Sequence, residues 1–87
     1  MNKPVTILYF AWLRERTGFA QEELVLPDHV RTVSSLVDHL AASSAGHAAA
    51  FQNRRTVRCA VNQEFADPAS PVQPGDEVAF FPPVTGG

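Results

Sequence analysis

Cysteine is nearly absent from this 87-residue chain, and Cys59 stands alone. One thiol excludes an internal disulfide framework and a cysteine-ligated iron–sulfur cluster, and makes a reducing, cytoplasmic setting the default. Charge is scarce as well, at 18% of residues, and nearly balanced: seven Lys and Arg against nine Asp and Glu, net −2. Nucleic-acid binding, which draws on clustered positive charge, has no electrostatic support. No apolar run approaches the ~20 residues that span a bilayer. The opening Met1-Asn2-Lys3-Pro4 leads into a strand pattern and lacks the build of a signal peptide. Five glycines, at 18, 46, 75, 86 and 87, make no phosphate-binding loop. His29, His39 and His47 are not at metal-ligand spacing and read as surface or helix-face residues.

What remains is a single small domain with 45% apolar residues, enough for one core. Val5 to Ala11 is β-branched and aromatic and reads as a strand with two apolar faces. Glu22 to Leu26 reads as a second strand stopped by Pro27, with Gly18 in a hairpin connection and Arg14-Glu15-Arg16 as a surface turn. Val33, Leu36, Val37, Leu40 and Ala41 fall on one face of an amphipathic helix. Thr32 is its expected N-cap and Gly46 its expected end, with a short helical turn over 47–52. Val57 to Val61 is a third strand, turned by Asn62-Gln63 into a short strand around Phe65. Gln73-Pro74-Gly75-Asp76 fits a type II turn, and Glu77 to Phe81 is the last strand.

The order β-β-α-β-β-β predicts an α+β fold, a mixed sheet with one main helix on one face. That is the arrangement of the ubiquitin-like β-grasp. Alternation puts Val78 and Phe80 on one face of the last strand, Ala79 and Phe81 on the other. If the helix covers Phe80, then Phe81 looks outward, joined by Phe10 and Phe65. These rings either form a partner surface or fill a second layer of the sheet. Cys59, between Val57 and Val61, reads as a small buried hydrophobe rather than a nucleophile. Arg54, Arg55 and Arg58 form a small basic cluster, either a solvated edge or a guide for an acidic partner or phosphorylated substrate. Trp12 either caps the core or enlarges the exposed patch.

Past the last strand come Pro82-Pro83-Val84-Thr85-Gly86-Gly87. The expected division is a domain over 1–82 and a tail over 83–87. Proline has a fixed φ and no N–H, so Pro82 and Pro83 end sheet pairing stiffly. A Gly-Gly end, free of Cβ atoms, can pass a narrow channel and suits a carboxylate delivered into another protein's active site. A frayed terminus is the alternative, and the dipeptide alone does not decide. An α-carboxylate, with a pKa of roughly 3.3–3.7, is ionised at neutral pH and must be activated before it accepts a nucleophile.

Gly75-Asp76-Glu77-Val78-Ala79-Phe80-Phe81-Pro82-Pro83-Val84-Thr85-Gly86-Gly87 resembles the terminal segment of the small, sulfur-carrying subunits of molybdopterin synthase, a MoaD/ThiS-like family. Phe10-Ala11-x-x-Arg14-Glu15 and Ala60-Val61-Asn62-Gln63 are similar at matching places, while 21–56 matches only in pattern. The resemblance implies that an E1-like adenylating enzyme uses ATP to join AMP to Gly87, with Gly86 its slender neighbour. Sulfur from a sulfurtransferase donor then replaces AMP, giving a thiocarboxylate. The tail, with Pro82, Pro83, Val84 and Thr85, enters the large synthase subunit, and Phe10, Phe65 and Phe81 dock the domain. Sulfur passes to cyclic pyranopterin monophosphate to build a dithiolene. No bound cofactor or metal is expected, the assembly is a heterotetramer around a dimeric large subunit, and the chain is not catalytic alone. Two rival readings share the fold: a sulfur carrier for thiazole synthesis, and a ubiquitin-like modifier joined through Gly87 to protein lysines.

Overall fold

The computed structural model describes residues 3–83. Five strands form one mixed sheet: β1 (Val5–Tyr9), β2 (Gln21–Leu24), β3 (Arg58–Val61), β4 (Glu64–Ala66) and β5 (Glu77–Phe81), in the order β2-β1-β5-β3-β4. β5 pairs parallel with β1 and antiparallel with β3, so the last strand lies at the centre of the sheet. Three helices accompany it: α1 (Trp12–Thr17), α2 (Val33–Ala41) and α3 (Ala45–Ala50), with a 3-10 turn at Arg54–Thr56. The expected β-grasp arrangement is present, with α2 as its longest helix.

Helix α2 begins where its sequence says. The Ser35 N–H donates to Thr32 Oγ1 at 3.1 Å and the Thr32 N–H donates to Ser35 Oγ at 3.0 Å, a reciprocal cap. The next free N–H groups of its first turn reach the loop before β5: Val33 donates to the Ser70 carbonyl and Ser34 to that of Pro68. The long 67–76 connection is thereby fastened to the helix. At the other end of that loop Gly75, at φ +88°, makes the expected turn, closed by the Asp76 N–H to the Gln73 carbonyl at 3.1 Å. Asn62 and Gln63 have φ of 51° and 70°, the pair of positive angles that a two-residue hairpin with right-handed twist requires.

Three sequence expectations are corrected. The segment Arg14-Glu15-Arg16 is not a bare turn but the exposed side of α1, whose Leu13 and Thr17 are buried one helical turn apart. The β1–β2 pair is therefore joined through a helix rather than a direct hairpin, and Gly18, at φ +85°, closes that helix by donating its N–H to the Arg14 carbonyl at 2.9 Å. Gly46 does not end α2, which stops at Ala42; it lies inside α3. A Cβ there would collide with the Arg16 carbonyl oxygen of α1, so the glycine is required by a close helix–helix approach.

The core collects Val5, Ile7, Tyr9, Val78, Phe80 and Cys59 from one face of the sheet. Leu13 of α1, Leu36 and Leu40 of α2, and Ala50 and Phe51 at the end of α3 pack against them. Val30 and Val72, from the loops, belong to the same core.

Candidate docking face and its outgoing tail

The helices leave the other face of the sheet uncovered, and strand register decides what stands on it. Leu8, Ala79, Ala60 and Phe65 are successive cross-strand neighbours from β1 through β5 and β3 to β4. Arg58 pairs with Phe81 in the next row. Residues opposite one another share a face, so this row and Phe81 stand together, away from the core. Phe65 is 85% exposed and Phe10 49%, whereas Phe80, one position from Phe81, is fully buried. The Phe65 and Phe81 rings lie 6.0 Å apart, tilted against each other. Phe10 follows β1 directly, its N–H donating to the Phe80 carbonyl at 3.1 Å, so it flanks the end of β5. Of the three phenylalanines singled out by alternation, Phe65 and Phe81 stand together on the uncovered face, and Phe10 is exposed beside the end of β5.

β5 is followed by Pro82 and Pro83, both half-buried. Their missing N–H groups stop β5 from extending its ladder to either neighbour. The expectations for Val84, Thr85, Gly86 and Gly87 lie outside the described residues.

The face is chemically plain. Among the described residues there is no group of three or more His, Cys, Asp or Glu able to hold a metal ion, and no helix is long and apolar enough to cross a membrane. Cys59 points into the core, and burial pushes its thiol up to about 12. At neutral pH it stays protonated, which suits the hydrophobe and not the nucleophile. Trp12 is half-buried against the core, with the Arg16 guanidinium 4.5 Å above its ring.

One constellation escaped the sequence reading. His47 is not a surface residue; it is 4% exposed and joined to three others. Its Nε2 lies 2.6 Å from Glu22 Oε2, and the same oxygen accepts the Tyr9 hydroxyl at 2.6 Å. His47 Nδ1 lies 2.7 Å from Ser44 Oγ, the N-cap of α3. Burial, then the hydrogen bond and charge of Glu22, raise the Tyr9 hydroxyl well above its ordinary value and keep it a donor. The network ties α3 to β2 and β1, and every buried polar side-chain atom among the described residues has a partner. The local sign was Ser44 three residues before His47, the spacing of a helix cap; nothing local pointed to Glu22.

Known proteins match this fold and sequence together. The sequence profile of the ThiS family matches residues 7–87. The chain is 41% identical to the molybdopterin synthase sulfur carrier subunit of Escherichia coli, over 95% of this chain and 99% of that one. It is 31% identical to the human protein of the same name, over 95% and 93%. Among solved structures it is similar to SAMP1 from Haloferax volcanii, with a TM-score of 0.72 and 29% identity, covering 97% of this chain and 99% of that one. On a profile that reaches from β1 to the final residue, and on relatives above 30% identity along nearly the full length, the chain belongs to the ThiS family.

Proposed function

We propose that this chain is the sulfur-carrier subunit of a molybdopterin synthase, with Gly87 as the sulfur-bearing residue. The observation that carries the reading is the union of an uncovered phenylalanine face with the outgoing Pro82-Pro83 at the end of the central strand. The relatives named as sulfur carrier subunits support it across bacterial and human sequences. The domain docks through Phe10, Phe65 and Phe81 on the large subunit. Residues from Pro83 to Gly87, at most ~16–18 Å when extended, carry the terminus into its pocket. Two such carriers sit on a dimeric large subunit.

The chemistry needs no acid, base or metal from this chain. A Gly87 carboxylate oxygen attacks the α-phosphorus of ATP on an E1-like enzyme, and pyrophosphate leaves. The terminal sulfur of a sulfurtransferase persulfide then attacks the acyl carbon and AMP leaves; a second thiol cleaves the S–S bond of the acyl disulfide so formed, pairing with the donor sulfur as a disulfide and leaving the thiocarboxylate. That sulfur bonds to a side-chain carbon of cyclic pyranopterin monophosphate, where a carbon–oxygen bond breaks in exchange, and water cleaves the acyl–sulfur bond to return the carboxylate. The setting is cytoplasmic.

The test is an intact mass. With ATP, the activating enzyme and a sulfur source, the protein gains the mass difference of one oxygen replaced by one sulfur. Removing Gly87 abolishes the gain and leaves the melting temperature unchanged, because the described core ends at Phe80. Sulfur acquired by the shortened chain, at Cys59 for example, would overturn the assignment.

The likeness to SAMP1, a small archaeal modifier protein, favours a second use, in which activated Gly87 is joined to protein lysines. Tail remnants in isopeptide linkage on cellular proteins are its signature.

A further inference from the structure

On the helix side of the sheet, away from the phenylalanine face, lies a half-open cleft of about 480 Å³ between α2, the 3-10 turn and β3–β4. Its lining is apolar: Val33 and Val37 of α2 on one side and half-buried Val57 and Ala66 on the other, with the buried rings of Phe51 and Phe80 beneath. Its mouth carries Arg54, Arg55 and Arg58. The size falls within the ~300–1,000 Å³ of small-molecule sites, which combine an apolar lining with a few polar groups.

The three guanidinium groups are not equivalent. Arg54 is occupied by Asp38, Nη1 to Oδ1 at 2.7 Å. Arg58 Nη1 donates to the Arg55 carbonyl at 2.8 Å and lies 3.4 Å from that of Val57, so backbone bonds hold its cation in place without neutralising it. Among the described residues, Arg55 and Arg58 form no ion pair. Asp67, the carboxylate on the cleft wall, is turned into its own loop, Oδ1 accepting the Ala69 N–H at 2.8 Å and lying 3.4 Å from Ser70 Oγ. The lip of this largely apolar cleft thus carries two guanidinium groups that no carboxylate pairs with among the described residues.

We propose that this cleft binds a small anionic amphiphile, its aliphatic chain in the groove between Val33 and Val37 of α2 and the half-buried Val57 and Ala66, and its carboxylate against Arg55 and Arg58. A nucleotide offers the same negative charge but suits the cleft less. The floor has no donors or acceptors to pair with a base edge, and unpaired polar groups are costly to bury. The cleft opens on the helix side of the sheet, and of its lining only Arg58, the cross-strand neighbour of Phe81, is shared with the phenylalanine face, so the site does not rest on the sulfur-carrier reading.

The experiment titrates the full, ¹⁵N-labelled chain with sodium decanoate below its micelle threshold, read by amide chemical shifts. Decanol, with a similar chain but no charge, and AMP, with charge but no chain, run in parallel. Saturable shifts confined to the amides around Val33–Val37, Phe51 and Arg54–Ala66 support the site, with decanol and AMP each about tenfold weaker or more. Replacing both Arg55 and Arg58 by Ala weakens decanoate about tenfold and leaves decanol unchanged. Ala66→Phe, which fills the cleft from its half-buried wall, removes both ligands. Non-saturable shifts, shifts spread over the whole sheet, equal binding of decanol and decanoate, or indifference to the arginine exchange would each overturn the proposal. The amide spectrum of each variant reports directly that it is folded.

Discussion

Phe80 and Phe81 are adjacent in sequence and opposite in environment. Phe80 is fully buried, its ring stacked 6.2 Å from Tyr9 and edge-on 5.0 Å from Phe51. Phe80→Ala removes those contacts and leaves a cavity, for an expected loss of ~3–5 kcal/mol in denaturant melts. Phe81→Ala takes away a half-exposed ring whose ring neighbour is Phe65, and costs the isolated domain about 1 kcal/mol or less. Binding reverses the order: a ring central to a docking surface is worth about 2 kcal/mol or more, so Phe81→Ala weakens association with a large subunit while the domain stays folded. Comparable stability losses in both variants would show that the uncovered face is not a docking face. This division was legible beforehand, because a strand's period of two depends on nothing distant. The burial of His47 was not legible. Its acid partner Glu22 lies 25 residues away on β2, and that proximity exists only after the sheet and α3 are packed. Cys59 was legible for the same reason as Phe80, by alternation with its neighbours.

Helix α2 shows how a complete local signal survives into the fold. Its apolar spacing and Thr32 cap agree with one another, and the structure adds Ser35 as the reciprocal partner and moves the end back from Gly46 to Ala41. Helices α1 and α3 have six residues each, too few for a 3.6-residue period to repeat. Their existence depends on packing against each other, as expected for helices too short to be stable alone. Gly46 marks that contact. On an exposed helix, Gly→Ala gains about 0.8–1.0 kcal/mol from propensity. Here the new Cβ meets the Arg16 carbonyl, a backbone atom that cannot rotate away, and overpacking costs roughly 1–3 kcal/mol. The steric term wins, so Gly46→Ala lowers the thermal midpoint. The comparison is Ala48→Gly at an exposed position of the same helix, where only propensity acts. A Gly46→Ala protein more stable than its parent would mean that α1 and α3 are not in contact in solution. Read from sequence, the same glycine looked like a helix end, since a residue that packs closely and one that takes positive φ are the same residue type.

The placement of β5 connects fold to chemistry. A strand last in sequence but central in the sheet, held by β1 on one side and β3 on the other, fixes the start of the tail rigidly to the domain. Whatever leaves through Pro82 and Pro83 does so at a set position relative to Phe10, Phe65 and Phe81. In the proposed function, docking and delivery are thus coupled by geometry. In the proposed reaction a thiocarboxylate holds one sulfur and returns as a carboxylate, so each charged chain serves once per charging. A dithiolene contains two sulfurs. Two charged chains are therefore consumed for each pterin, either as successive visitors or as the two carriers of a dimeric assembly. A single-turnover titration, measuring dithiolene against added thiocarboxylate, is expected to reach half a product per charged chain. The uncharged protein is expected to give none. Many products per charged chain would show that the sulfur comes from elsewhere and that Gly87 is not its carrier. Thiazole formed in place of the dithiolene, with the enzymes of that pathway, would keep the carrier chemistry and change its destination. The aromatic face, rather than the tail, would then be where specificity has to be sought, since a Gly-Gly end and its activation are common to both pathways.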